Sequence, residues 1–236
     1  MSVVIIIPTY NEKENLEALV NGIFSQRIPG VSVVIVDDNS PDGTGELADI
    51  LSRHYALTVI HRSKKEGLGK TYVEAFKKIL AMRDRPQYVL QMDADLSHDP
   101  ASIPKFLEAA QKYDLVLGSR YIPGGRVENW GPLRRLISRL GNFYARTILG
   151  VPYRDLTSGY KCFHRQVLES MDLDSISSVG YNFMIETTYK AYCAGFKIGE
   201  IPICFTERKS GASKFNLGIL LESFLKVLWL KLHGSR

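Results

Sequence analysis

Cysteine is scarce in this 236-residue chain. Cys162, Cys193 and Cys204 are too few and too scattered for a disulfide framework or a zinc site, and they suit a reducing, cytosolic setting. Long apolar runs are lacking as well. A membrane-spanning helix needs about 20 such residues; the nearest stretch, Leu217 to Leu232, is interrupted by Glu222, Lys226 and Lys231. Val3-Val4-Ile5-Ile6-Ile7 has no basic segment before it and is stopped by Pro8, so no signal peptide is expected. Repeats, low-complexity tracts and linkers are missing, and one domain over residues 1–236 is expected. The net charge of +5 comes without a Lys/Arg-rich tail or a basic helix carrying stacking aromatics, which argues against nucleic acid. A mild basic excess fits a phosphate-bearing partner, or only a solvated basic surface.

Three motifs are also absent. Pro8-Thr9-Tyr10-Asn11-Glu12 contains no glycine, against a dinucleotide fingerprint after the first strand. Gly67-Leu68-Gly69-Lys70-Thr71 ends like a phosphate-binding loop, but Lys64 stands where its upstream glycine is required. His61, His98 and His164 have no evident nucleophilic partner.

What is present is an alternation of strand and helix signals. Apolar runs at Val3–Ile7, Val31–Val36, Leu57–Ile60, Tyr88–Met92 and Leu115–Leu117 read as strands buried on both faces. Helical spacing follows each of the first four: after a cap at Asn11, after Asp42 or Thr44, over Gly69–Met82, and over Ala101–Gln111 with Pro100 at its start. The second half reads as a loop over Tyr121–Pro132, a helix over Leu133–Leu149, a strand near Thr157–Phe163, a helix over Asn182–Ala194, a strand over Lys197–Phe205 and a C-terminal helix. The fold class expected is α/β, with a mostly parallel central sheet flanked by helices. Ligands in such sheets sit at the carboxyl ends of the strands. Polar clusters fall there: Pro8 to Glu12, Asp37 to Ser40, Asp93-Ala94-Asp95 and Gly118-Ser119-Arg120.

Asp93 and Asp95 are either a solvated turn or a carboxylate pair joined by a divalent cation, Mg²⁺ or Mn²⁺, that also takes a diphosphate. Asp37 and Asp38 are both turn chemistry and well placed to accept hydrogen bonds from a base or ribose. Arg120, Arg126, Arg134, Arg208 and Lys214 are surface charges or phosphate contacts; Thr206 to Lys214 reads as a polar segment able to close over a diphosphate or a lipid phosphate. An acceptor that is already a phosphate anion needs no general base.

Ile6 to Glu12, Val36 to Thr44 and Met92 to His98 resemble glycosyltransferase family 2, and more narrowly the dolichyl- or polyprenyl-phosphate mannose synthases. The likeness continues through Gly118 to Tyr121, Asp155 to Gly159 and Glu200 to Ile203, to Arg208 and Lys214. It implies a single-domain GT-A fold, with a nucleotide-sugar half over 1–120 and an acceptor half over 121–236. It also implies inverting transfer from GDP-mannose to a polyprenyl or dolichyl phosphate, at the cytoplasmic face of a membrane. By the same resemblance Pro8, Tyr10, Glu12, Val36 and Asp38 hold guanosine. Asp93 and Asp95 bind the metal, with Ala94 beside the nucleotide and Ser97 where some relatives have a Gln ligand. Arg120, Arg208 and Lys214 surround the sugar phosphate, Asp95 and these three being the catalytic set, and Arg134 and Ser138 lie near the acceptor phosphate. Glucose from a UDP-sugar is the alternative within the family; a non-catalytic nucleotide-sensing module is the alternative outside it. The C-terminal helix is expected either in the bilayer interface or packed on the sheet, loop Tyr121–Trp130 is a second membrane candidate, and a membrane-anchoring subunit is a further possible partner.

Overall fold

The structure is a computed structural model that describes residues 2–178, 180–207 and 217–233. The chain runs β1 (Val3–Thr9), α1 (Lys13–Ser25), β2 (Val31–Asp37), α2 (Thr44–Leu51), β3 (Leu57–His61), α3 (Leu68–Leu80), β4 (Tyr88–Gln91), α4 (Ile103–Ala109) and β5 (Leu115–Ser119). It continues through β6 (Arg126–Glu128), α5 (Pro132–Leu149), β7 (Lys161–His164), α6 (Arg165–Glu169), α7 (Tyr181–Cys193), β8 (Ile198–Pro202), β9 (Cys204–Thr206) and α8 (Leu217–His233).

Seven strands form one sheet in the order β3-β2-β1-β4-β7-β5-β8. The contacts β1·β2, β1·β4, β2·β3 and β5·β8 are parallel, and β7 runs antiparallel between β4 and β5. The expected mostly parallel sheet is therefore present. Its strands read as unbroken apolar runs because both faces are covered. Val3, Ile5 and Ile7 join the core beneath α1, α2 and α4, while Val4 and Ile6 join the one beneath α3 and α7. The chain winds outward from β1 through β2 to β3, then returns to place β4 on the other side of β1. The carboxyl ends of β1 and β4 thus flank a topological switch point, where such sheets open a crevice.

Several expectations need correction. Asn11 is not the α1 cap: it has a φ of 59°, and α1 begins at Lys13 after Glu12. The neighbouring loop supplies the missing acceptors, with Glu12 N–H donating to Thr44 Oγ1 at 3.0 Å and Lys13 N–H to Asp42 Oδ2 at 3.2 Å. Asp42 Oδ1 also accepts the N–H of Thr44, although Gly43 holds the α2 cap position. The stretch read as a loop over Tyr121–Pro132 contains β6, which pairs with β9 in a separate two-stranded ribbon. The strand expected over Lys197–Phe205 is split into β8 and β9, and the short α6 was not anticipated. The phosphate-loop lookalike has a packing explanation. A Cβ on Gly69 would lie 2.4 Å from the carbonyl oxygen of Ser178, so α3 approaches that backbone only through a glycine. His61 Nε2 lies 3.0 Å from Asp49, and His98 and His164 accept backbone N–H groups.

Lys161, in the antiparallel β7, is fully buried, and its ammonium is held by Met184 O, Thr187 Oγ1 and Thr188 Oγ1 on α7. Burial pushes its pKa down to about 7, the Asp155 charge opposing only in part. The folded chain therefore sheds this proton near neutrality, while the unfolded chain keeps it to its ordinary value of 10.5. Between those values the unfolded state binds more protons, and this group makes stability rise with pH, by at most about 1.4 kcal/mol per unit. Denaturant unfolding of the wild type and of Lys161→Met between pH 7 and 9.5 should show the difference growing in favour of the wild type as pH rises.

Candidate active site

A small cleft, partly open to solvent, lies over the carboxyl ends of β4 and β5. Asp93 and Asp95 line it together with Arg120 and Arg134, the aromatic rings of Trp130, Tyr181 and Phe205, the backbone stretch Thr157-Ser158-Gly159, His98 and Glu207.

The acidic pair follows β4 directly. Leu96, just after it, has a φ of 61°, unusual for a residue with a branched side chain and a sign of a tightly specified turn. Ser97 fixes that turn: its backbone N–H and hydroxyl both donate to Asp95 Oδ1, at 3.1 and 2.5 Å. Ser97, expected as a metal ligand, is almost fully buried and its hydroxyl proton is given to Asp95. His98 lies beneath Asp93, accepting its backbone N–H on Nδ1 at 3.1 Å, with Nε2 3.8 Å from Asp93 Oδ2. Burial lowers the His98 pKa more than the charges of Asp93 and Asp95 raise it. Its ring stacks on Tyr160, with centroids 4.7 Å apart. A Cβ at Gly159 would stand 3.3 Å from Asp93 Oδ1, so glycine leaves the face of that carboxylate open.

Among the described residues no three His, Cys, Asp or Glu side chains are grouped to enclose a metal ion. Two carboxylates on one turn, with space before them, match a hard divalent cation that keeps positions for water and phosphate oxygens. They do not match a closed structural site.

Arg120 directly follows β5 and is almost wholly buried, not a surface loop cation as its sequence position suggests. Its Nε and Nη2 donate to the two oxygens of Asp155, each at 2.7 Å, and Nη2 also donates to Thr157 Oγ1 at 2.8 Å. Its guanidinium carbon lies 5.3–5.5 Å from the ring centroids of Tyr121, Trp130 and Phe205. Burial alone would lower its pKa; the charge and hydrogen bonds of Asp155 outweigh that and raise it. Glu200 braces this loop by accepting the N–H groups of Arg154 and Asp155, and Asn142 of α5 clasps it through Leu156 N–H and Thr157 Oγ1.

The remaining expected residues divide into groups. Pro8, Tyr10 and Glu12 lie with Val36 and Asp38 at the adjoining ends of β1 and β2, where Pro8 pairs with Val36. This group lies outside the cleft lining. The Val36 and Ala94 side chains are in the core, which leaves them only main-chain contact with a ligand. The Asp38 carboxylate accepts from Arg62 Nη1 at 2.5 Å and from Thr71 Oγ1 at 3.1 Å. Arg62 also bonds Glu66 and Glu74. Burial would lower its pKa, but Asp38 and Glu74 hold it above the ordinary value. Tyr10 is exposed, with Lys65 Nζ 3.6 Å from its ring centroid. Ser138 Oγ accepts from Tyr121 Oη at 2.7 Å. Arg126 is exposed and pairs with Glu128, away from the cleft. Arg208 and Lys214 lie outside the described residues. Arg62, Trp130, Tyr181 and Glu207 were not singled out from sequence as site residues. Nothing local marks them, since three reach their places through long-range packing and Tyr181 by opening α7.

Asp155→Asn should destabilise the fold by about 3–5 kcal/mol, because it strands a buried guanidinium. Part of that loss should return in the Arg120→Met, Asp155→Leu double variant; chemical denaturation of the three proteins checks both outcomes.

The glycosyl transferase family 2 model matches residues 4–172. The chain is 44% identical over 227 residues to a polyprenol monophosphomannose synthase of Mycolicibacterium smegmatis, covering 94% of this chain and 84% of that one. It is 41% identical over 228 residues to an undecaprenyl-phosphate mannosyltransferase of Micrococcus luteus, covering 96% and 93%. Among solved structures it resembles a Pyrobaculum calidifontis mannosyltransferase bound to GDP-mannose and Mn²⁺, with a TM-score of 0.61, 18% identity, and 89% and 58% of the two chains covered. With its GT-A sheet and an acidic pair at the switch-point crevice, the chain belongs to glycosyltransferase family 2.

Proposed function

We propose that this enzyme transfers mannose from GDP-mannose to a polyprenyl phosphate, with inversion at the anomeric carbon, while seated on the cytoplasmic face of a membrane. The observation that carries the reading is the composition of one cleft: an acidic pair for a cation and diphosphate, beside two guanidiniums for a second phosphate. The names of the relatives support mannose and a polyprenyl phosphate as the two substrates, and the GDP-mannose complex of the Pyrobaculum enzyme supports the donor.

In this reading residues 1–120 hold the donor and residues 121–236 the acceptor. Pro8, Tyr10, Glu12 and Asp38 receive guanosine, with the Arg62–Asp38 pair fixing the carboxylate. Asp93 and Asp95 would hold Mg²⁺ or Mn²⁺, which when bound offsets the negative charge gathering on the departing diphosphate. An acceptor phosphate oxygen attacks the anomeric carbon from the face opposite the diphosphate. The new carbon–oxygen bond forms as the bond to GDP breaks, and its electron pair leaves with GDP. One displacement inverts the configuration and requires no general base, since the nucleophile is already an anion. Arg120, held rigid by Asp155, lends positive potential without reorganising. Arg208 and Lys214 complete the phosphate contacts, and Arg134 and Ser138 lie toward the acceptor.

No described helix is long and apolar enough to cross a membrane. The peripheral contact is supported instead by two adjacent helices. On α5, Leu133, Leu136, Leu140 and Phe143 are 54–68% exposed in one stripe. On α8, Leu225, Leu228, Trp229 and Leu232 are exposed, while Val227 and Leu230 pack against α5 and α7. The C-terminal helix therefore packs on helices, not on the sheet, and still offers an apolar face. Loop Tyr121–Trp130 is a poorer candidate, because Trp130 is buried and β6 is tied to β9.

With purified protein, Mn²⁺ and a short polyprenyl phosphate, radiolabel should enter the lipid phase from GDP-mannose and not from UDP-glucose. Label from UDP-glucose instead would assign the sister activity. Asp95→Ala should lower the GDP-mannose rate by roughly 10²-fold or more at saturating metal. In liposome flotation, the folded Leu136→Glu, Leu140→Glu variant should stay at the bottom of the gradient while the wild type floats.

A further inference from the structure

Glu207 follows β9 and points its carboxylate at Nη1 of Arg134, whose guanidinium carbon lies 4.1 Å from the Trp130 ring centroid. Both partners line the cleft. Among the described lining residues, Arg120 and Arg134 carry the positive charge. Arg120 is already paired from behind with Asp155, which is fully buried and outside the lining. Arg134 is thus the cation left for an incoming anion, and the chain's own carboxylate holds it.

We infer that Glu207 is a placeholder for the acceptor phosphate, holding Arg134 until a phosphate displaces it and so weakening the binding of acceptor and product alike. The inference rests on the proposed transfer to a polyprenyl phosphate. A phosphate monoester carries a charge of about −1.5 to −2 near pH 7. It outcompetes a single carboxylate for the guanidinium, whereas a monoanion has no such advantage. The ion pair suits displacement: its side chains are 26% and 32% exposed, and pairs so exposed to water are weak. The backbone need not move, because Thr206 N–H is tied to Ser97 O and Glu207 N–H to Glu128 O, each at 3.3 Å. The carboxylate moves by side-chain rotation alone.

The same competition favours product release. As the phosphate oxygen bonds to the anomeric carbon, the acceptor changes from a dianionic monoester to a monoanionic diester, and the leaving GDP carries away the extra negative charge. The product then loses its advantage over Glu207, which returns to Arg134.

The test compares wild type and Glu207→Gln in the GDP-mannose assay, with dodecyl phosphate (dianion) and methyl dodecyl phosphate (monoanion) as inhibitors competing with polyprenyl phosphate. In the variant both inhibitors should tighten severalfold, KM for polyprenyl phosphate should fall, inhibition by mannosyl phosphoprenol should tighten, and KM for GDP-mannose should hold. Unchanged inhibition by both phosphates, or a raised acceptor KM in the variant, overturns the inference and leaves Glu207 as a support for Arg134. Glu207→Ala serves if the Gln protein does not fold. A wild type that transfers no mannose to polyprenyl phosphate overturns the proposed function itself.

Discussion

The buried ion pair between Arg120 and Asp155 organises the second half of this molecule. It joins the end of β5 to a loop 35 residues later. From that loop the connections spread: Asn142 brings in α5, Glu200 brings in β8, and Gly159 sets the backbone against Asp93. A charge pair so fully desolvated is a weak source of net stability, yet costly to break singly. Its value here is geometric. It fixes a guanidinium, a strand end and a helix in one arrangement beside the carboxylates.

The first half uses the same device on a smaller scale. Arg62 gathers Asp38, Glu66 and Glu74 around one buried cation, and Thr71 adds its hydroxyl to Asp38. The first two loops cross-cap one another through Ser40, Asp42 and Thr44. Each half is therefore preorganised by polar contacts between strand ends, over a sheet whose apolar faces only supply the platform. Preorganisation of this kind suits a transfer that needs positioning and charge stabilisation more than a proton-shuttling residue.

The two arginines that face the cleft are held in different ways. Arg120 is locked by a buried carboxylate that cannot leave without unfolding its surroundings. Arg134 is held by a partly exposed one that can turn away. One cation is thereby a fixed source of potential and the other an exchangeable binding site, a distinction set by the burial of their partners.

Sequence alone determined the sheet and the acidic pair. The runs beginning at Val3, Val31, Leu57, Tyr88 and Leu115 are apolar on both faces, and only a covered sheet satisfies that pattern. Asp93 and Asp95 sit at a strand end, and that local signal survives without any knowledge of packing. What only the tertiary structure decided is who meets whom. The antiparallel insertion of β7, the pairing of β6 with β9 across 78 residues, and the partners of Arg120, Arg134 and Asp38 are all set by contacts distant in the chain. A carboxylate or guanidinium reads the same in sequence whether it is solvated, paired or awaiting a ligand. Burial and neighbours choose among those states, and both are properties of the folded chain.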